Sequence, residues 1–246
     1  MTFPALAPLA DRAALFAALR QDQLVTATAA LGEHRWDADL AAGTLTFTSE
    51  TDPSRRLVAR ASLVATIAPR PRSLMWAWAH PQGGSDPSIA SLRDYGTTYS
   101  IDELSNAELP FPAEADADLD GWITGTAHQI GAIAEEITGR SPYYSAPVGS
   151  GTRAVFLLDA PLPPLTVADA VIALPRILSE LTLSDARSSV WDLARLAGWT
   201  MQWTDEAYSA AVVSDTSGSA TFRFDEYARI SGVESPFGQA PQAPQA

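Results

Sequence analysis

Apolar side chains recur every three to four residues in several stretches of the chain, and this spacing predicts helices that bury one face. A long helix is expected over about residues 6–31 and another over about 118–137, each closed by a glycine. Two more helices are expected in the second half of the chain, with Thr166 and Ser184 as their N-caps.

In other stretches apolar and polar residues alternate, which is the pattern of a strand with one buried face. Four strands of an antiparallel meander are expected at residues 35–40, 44–49, 56–68 and 73–79. A further strand is expected at 153–159, and a hairpin turning at 215–218 ends the fold. Strands do not alternate singly with helices, so the sequence predicts an α+β fold. Its sheet is mainly antiparallel, with about six to seven strands and helices packed on one face.

The length of 246 residues fits one large domain. We expect that domain to span residues 1–234. The segment 235–246 is rich in Pro, Gln and Ala and has little to bury, so disorder is expected there.

The composition excludes several kinds of chemistry. All 16 basic residues are arginine, cysteine is absent, and three histidines are present. Without lysine there is no Schiff base, pyridoxal phosphate anchor or Walker-type phosphate lysine. Without cysteine there are no disulfides and no zinc-thiolate sites, and the histidines do not stand at metal-ligand spacing. We therefore expect no cofactor, no metal and no catalytic residue that the sequence can name, which favours a protein that is not an enzyme.

The formal net charge of -13 bears on the partner. Phosphate backbones and anionic membrane surfaces attract clustered positive charge, so neither nucleic acid nor a membrane is expected as a partner. No apolar stretch is long enough to span a membrane, and the first residues lack the basic region of a signal peptide, so a cytoplasmic protein is expected. An acidic surface would instead steer the chain towards a basic protein.

One segment, Trp-Ala-Trp-Ala-His-Pro at 76–81, is unusual. As a strand it would place Trp76, Trp78 and His80 on one face and small residues on the other. In one interpretation the tryptophans fill the core, because large aromatic side chains dominate core packing. In the other they form the walls of a ligand pocket with His80 at its rim.

This segment, with Leu-Arg-Asp-Tyr-Gly at 92–96 and Gly-Ser-Gly-Thr-Arg-Ala-Val-Phe at 149–156, resembles a bacterial family classed only as a domain of unknown function. The resemblance extends from the first helix to the last hairpin. It implies a single integrated domain and no particular activity. The family more often has asparagine where this chain has His80, so the resemblance assigns no chemical role to that histidine.

Residues 141–151 form an expected loop, rich in aromatic residues and glycine, that leads into the strand at 153–159. Tyr143, Tyr144 and Arg153 in and beside it are residue types that anchor protein interfaces, and binding groups are often carried on loops. We therefore expect binding at this loop.

The histidines are less favoured as functional groups. His128 would lie on a small, polar helix face, as a surface histidine. Glu135, seven residues further on, is too distant in sequence to orient His128 directly as a catalytic base.

Two function classes follow. The first is a non-enzymatic protein-binding or regulatory protein, of the kind that provides immunity against a basic toxin or enzyme. The alternative is a small-molecule-binding protein or hydrolase with a Trp-lined pocket at residues 74–80, using Asp37, Asp39, His80 or His128 as polar groups. A deep cavity beside the tryptophans would favour the alternative, and an exposed acidic surface edged by tyrosines would favour the first class.

Overall fold

The computed structural model describes residues 3–81, 83 and 86–235. Its helices are α1 (Ala7–Ala29), α2 (Pro87–Tyr99), α3 (Asp102–Ser105), α4 (Leu119–Thr138), α5 (Val167–Glu180) and α6 (Ala186–Ala197). Short 3-10 turns at Pro4–Leu6 and Ala113–Ala117 precede α1 and α4. Within these residues, no helix combines the length and the apolar character needed to cross a membrane.

The strands of the first half are β1 (His34–Asp39), β2 (Thr44–Ser49), β3 (Arg56–Ala68), β4 (Ser73–Trp76), β5 (Glu108–Pro110), β6 (Tyr143–Gly149) and β7 (Thr152–Asp159). Those of the second half are β8 (Thr200–Trp203), β9 (Ala210–Asp215), β10 (Gly218–Phe224) and β11 (Ile230–Glu234). The α+β prediction is confirmed, with a mainly antiparallel sheet of seven strands. The last four strands form a second sheet instead of extending the first.

Helix ends follow from local hydrogen bonding. The side chain of Asp118 accepts a backbone amide at the start of α4, and Gly139 ends that helix in the left-handed conformation, at φ 69°. Thr166 caps α5 as predicted. The prediction of Ser184 for α6 is wrong, because the carboxylate of Asp185 accepts two amides of the first turn.

Strand β3 organises the first sheet. Its residue Arg60 pairs with both β2 and β7, and Ala65 pairs with both β4 and β7. Strands β2 and β4 therefore lie along one edge of β3, and β7 lies along the other. The register shifts between Leu63 and Ala65, and such a bulge bends and twists a strand.

The bend curls the sheet into a half-barrel. On its concave face the ring of Tyr144 in β6 lies 5.0 Å from the ring of Phe47 in β2 and 6.0 Å from that of Trp36 in β1. These strands are not neighbours in the sheet, so the contacts cross the concave face. Helix α4 packs on the opposite face, against β3, β6 and β7.

Helix α1 lies between two apolar clusters. Leu9, Ala13 and Leu24 of this helix belong to the cluster of the half-barrel. Leu15, Phe16 and Leu19 belong to the cluster formed with α5, α6 and the second sheet. Both clusters lie inside the expected domain 1–234, whose extent stays a prediction.

Three sequence predictions need correction or limits. The strand expected at 73–79 ends at Trp76, because the amides of Ala79 and His80 turn back to the carbonyls of Trp76 and Ala77. The loop expected at 141–151 contains strand β6, paired with β7 through a turn of three residues in the left-handed region. Most of the tail predicted to be disordered, residues 236–246, lies outside the described part of the chain.

The end of β4 also separates the two tryptophans. Trp76 is fully buried, and its indole N–H donates to the carbonyl of Glu103 at 2.8 Å. Trp78 is half-buried beneath the guanidinium of Arg93, which lies 5.7 Å from the ring centroid. Trp76 is thus a core residue, whereas Trp78 lies at the edge of the core.

A network of charged side chains joins α1, α4 and α6. Arg12 pairs with Glu136, and Arg195 pairs with both Glu136 and Asp192. Both carboxylates are buried, and one oxygen of each lacks a hydrogen bond among the described residues. Burial raises the pKa of Asp192 to about 6, although Arg195 favours its ionised form. The network therefore places a titratable acid where the two apolar clusters meet.

Replacing the core tryptophan should destabilise the protein strongly. Trp76→Ala should lower the free energy of unfolding in urea by about 3–5 kcal/mol, the usual cost of removing a buried indole. Trp78→Ala should cost less, since its ring is partly solvated. As a control, Trp191→Ala removes an indole that is 46% exposed and should cost under about 1 kcal/mol. An equally small loss for Trp76→Ala would contradict its place in the core.

The raised pKa of Asp192 gives a pH dependence with a definite sign. The folded protein binds the proton of this acid more tightly than the unfolded chain, so its contribution to stability is present below about pH 4 and is lost as the pH rises through about 6. In Asp192→Asn this contribution is missing. Between about pH 5 and about pH 7, the unfolding free energy of the unmodified protein should therefore fall relative to that of Asp192→Asn. An identical pH profile for the two proteins would refute the assignment.

Candidate functional site

The concave face of the half-barrel holds a cavity of about 520 Å³. We call it the barrel cavity. Cross-strand pairing aligns its wall, because Phe156 lies opposite Leu63, and Thr66 lies opposite both Ala154 and Met75. Directly paired residues point to the same side of a sheet, so these side chains form one continuous surface.

The wall of the barrel cavity is mostly apolar. Trp36 closes it on the side of β1, and Val148 on the β6–β7 hairpin closes the other side. Polar residues are few in the lining, and they include Asp37 and His80. An apolar lining with a few polar groups is typical of small-molecule sites.

A second cavity, of about 510 Å³, lies beside the first and is more polar. We call it the arginine cavity. Arg140, just after α4, donates from Nη1 to Asp86 Oδ2 and to Ser88 Oγ, each at 2.7 Å, and to Ser62 Oγ at 3.1 Å. Partial burial alone would raise the pKa of Asp86, but hydrogen bonds from Ser62, Ser88 and Arg140 outweigh it and hold that pKa below its ordinary value. An ionised aspartate and a fixed arginine therefore share this cavity.

Leu40 and Leu63 line both cavities. Leu40 stands on the turn between β1 and β2 and is 46% exposed. Leu63 stands at the bulge of β3. The two cavities thus share two leucine residues in their linings.

The segment 74–80 contributes Met75 and His80 to the lining of the barrel cavity, and not the expected tryptophans. The face with Met75 lines the cavity, while Trp76 points into the core on the other side. His80 reaches the lining from the turn after β4, and Trp78 does not line it. The expectation that Trp78 and His80 share a strand face with Trp76 is wrong, because β4 has already ended.

The residues of the expected binding loop are separated by the pleat of β6. Tyr143 is buried against α4, whereas Tyr144 points into the half-barrel towards Trp36. Arg153 on β7 donates to the hydroxyl of Ser145 at 2.8 Å and to its carbonyl at 2.9 Å. The structure does not gather these three residues into one exposed loop.

Tyr143 connects His128 to Glu135. Its hydroxyl lies 2.9 Å from His128 Nδ1, and its backbone N–H donates to Glu135 Oε1 at 2.7 Å. Burial raises the pKa of Glu135 well above its usual value, although the amide of Tyr143 and the charge of Arg20 favour the ionised form. Burial, with Arg153 nearby, lowers the pKa of His128. The histidine and the glutamate are thus linked through a tyrosine and not by direct contact.

Residues 7–161 match a family of unknown function, DUF6882. The chain belongs to this family. No curated protein and no solved structure matches it. The DUF6882 segment contains the whole lining of both cavities and ends before α5. The resemblance expected to reach the last hairpin is shown only as far as residue 161.

Sequence reasoning missed the arginine cavity of this DUF6882 protein. Ser62, Asp86 and Arg140 come from distant parts of the chain, and no spacing rule connects them. One local signal was present, since Asp-Pro-Ser at 86–88 is a helix N-cap followed by proline. That signal predicts a helix start and not a ligand site.

A metal centre has no support in the described ranges. Between residues 3 and 235, apart from the three positions left out, no group of three or more His, Asp and Glu side chains could hold a metal ion. The expectation of a protein without metal or cofactor stays a prediction.

The contact between Tyr143 and α4 depends on Gly131. A Cβ at this glycine would lie 2.3 Å from Cγ of Tyr143, so Gly131→Ala should displace the ring and lower the unfolding free energy by about 1–3 kcal/mol. Gly125 lies on the same helix, and its Cβ would meet nothing within 4 Å. Gly125→Ala should therefore be stabilising, by about 0.5–1 kcal/mol. Thermal and urea unfolding of the two variants would measure both changes. A stabilising effect of Gly131→Ala would contradict the close packing at this glycine.

Proposed function

We propose that this protein binds a small, largely apolar molecule in the barrel cavity. The observation that carries the proposal is a concave, apolar cavity of about 520 Å³ with few polar groups. Ligand sites for small molecules have volumes of roughly 300–1,000 Å³ and the same kind of lining. The ligand would lie between Trp36 and Phe156, which provide aromatic surface.

The polar groups of the cavity would orient the ligand. Thr66 and Ser73 carry hydroxyl groups on the face of the sheet that lines the cavity, and His80 also lines it. Hydroxyl groups both donate and accept hydrogen bonds, so they suit one oxygen or nitrogen on an otherwise apolar body. The location within the DUF6882 segment also supports a role for the cavity. The Trp-lined pocket of the sequence analysis thereby becomes a pocket lined by Trp36 and by the Met75 face of β4.

Protein binding is a second candidate, favoured by an exposed aromatic patch on the second half of the chain. Trp191 and Tyr208 are 46% and 51% exposed and line a shallow cavity of about 370 Å³ with Arg187. Tryptophan, tyrosine and arginine dominate the binding energy of protein interfaces. Because the patch itself contains an arginine, it gives no reason to expect a basic partner. That expectation rests on the net charge of -13 alone.

The location and the origin of the protein are two further proposals. We propose a cytoplasmic location, because the chain lacks cysteine, as is common where disulfides do not form. We propose a bacterial origin and a family role for the segments at 76–81 and 92–96, supported by the resemblance described above.

The test fills the barrel cavity with a larger side chain at Thr66, one of its lining residues. Thr66→Phe should raise the dissociation constant of phenylnaphthylamine, an uncharged fluorescent probe, by at least about tenfold, because the ring would occupy the site. Val58 lies on the same strand, is 43% exposed and lines neither cavity. Val58→Phe should therefore leave probe affinity unchanged. Absence of probe binding to the unmodified protein, or equal affinity in both variants, would refute the proposal.

A further inference from the structure

The two cavities differ in chemistry and share a boundary. The barrel cavity is bounded mainly by apolar side chains, and the arginine cavity by arginine, aspartate and serine. Leu40 and Leu63 belong to both linings. A molecule with an apolar body in the barrel cavity would therefore meet polar groups directly beyond these two leucines.

Arg140 is fixed in place through one nitrogen. Its Nη1 donates to Ser62, Asp86 and Ser88. Nε and Nη2 donate to no acceptor among the residues that the structure describes, and the side chain is 28% exposed. Nε and Nη2 together form the edge of a guanidinium that binds a carboxylate or phosphate through two parallel hydrogen bonds.

The donors of Arg140 that lack an acceptor among the described residues favour an acid at this position. Arg140 balances the charge of Asp86, and two serine hydroxyls also donate to its carboxylate. Arg60 and Asp159 also line the cavity and lie opposite each other in the β3–β7 ladder, so the charges of these two side chains balance. Asp86 therefore contacts Nη1 of Arg140, and Nε and Nη2 remain as donors for a second acid.

We propose that the two cavities hold one amphipathic molecule, whose apolar body lies in the barrel cavity and whose acidic head group binds Arg140. The inference deepens the proposed function and rests on it. The ligand class is a hydrophobic carboxylate, or an equivalent sulfonate or phosphate. Leu40, on an exposed turn between strands, lies over the junction of body and head.

Octanoate and octanol provide the test, because they share an alkyl chain and differ in the head group. Each is titrated against the protein holding phenylnaphthylamine, and displacement gives its affinity. Octanoate should bind about tenfold more tightly than octanol at neutral pH, as one charge-assisted pair would give. Thr66→Phe should abolish binding of both.

The head-group contact is tested with Arg140→Gln. This variant should keep its affinity for phenylnaphthylamine and lose the preference for octanoate. Arg176→Gln is the matched control, since it removes the same charge from an exposed pair with Asp22 and lines neither cavity. It should retain the preference. If Arg140→Gln does not fold, salt replaces it as the probe, because added sodium chloride should weaken octanoate binding to the unmodified protein and leave octanol binding unchanged.

The outcomes separate the two proposals. Binding of the uncharged probe with equal affinity for octanoate and octanol would overturn the acidic head group and leave the barrel cavity as the site. A preference for octanoate that survives in folded Arg140→Gln would also overturn it. Failure of phenylnaphthylamine, octanoate and octanol to bind would overturn the proposed function together with this inference.

Discussion

The pairing of β3 on both edges constrains the rest of the first sheet. A strand of 13 residues holds β2 and β4 in succession along one edge and β7 along the other. The bulge between Leu63 and Ala65 keeps these pairings compatible by bending the strand. Without that bend the sheet would be flatter, and Tyr144 would not reach Phe47 across the concave face. The barrel cavity is a direct product of this curvature.

The same strand explains why a polar cavity lies against an apolar one. Successive residues of a strand point to opposite faces, so Leu63 faces the half-barrel while Ser62 faces Arg140 and Asp86. Between Thr44 at the start of β2 and Trp76 at the end of β4, no strand of the described chain pairs with that edge of β3. On this edge no paired strand therefore separates the two faces of the sheet. An amphipathic ligand would use both sides of one strand.

Local pattern predicted the elements better than it predicted the site. The meander of β1 to β4 and the long helices were visible because period and capping signals agree over many residues. Strand β6 was missed since Pro142, Pro147 and Gly149 interrupt its alternation, and pairing with β7 outweighs these local preferences. The sequence placed His80 on the wrong face, because the alternating pattern continues past Trp76 whereas the chain turns there. Arg140 and Ser62 could not be connected, because contact between them depends on the complete fold.

Helix α1 of the DUF6882 segment is buried in part by the rest of the chain. That segment contains α1, β1 to β7 and their helices, yet Leu15, Phe16 and Leu19 are covered by α5, α6 and the second sheet. A chain cut after residue 161 would expose this apolar stripe to solvent, and exposed patches of this kind promote self-association. In this protein α5, α6 and the second sheet cover that stripe. A relative without these elements would need another surface, such as a second copy of itself, to shield the same stripe.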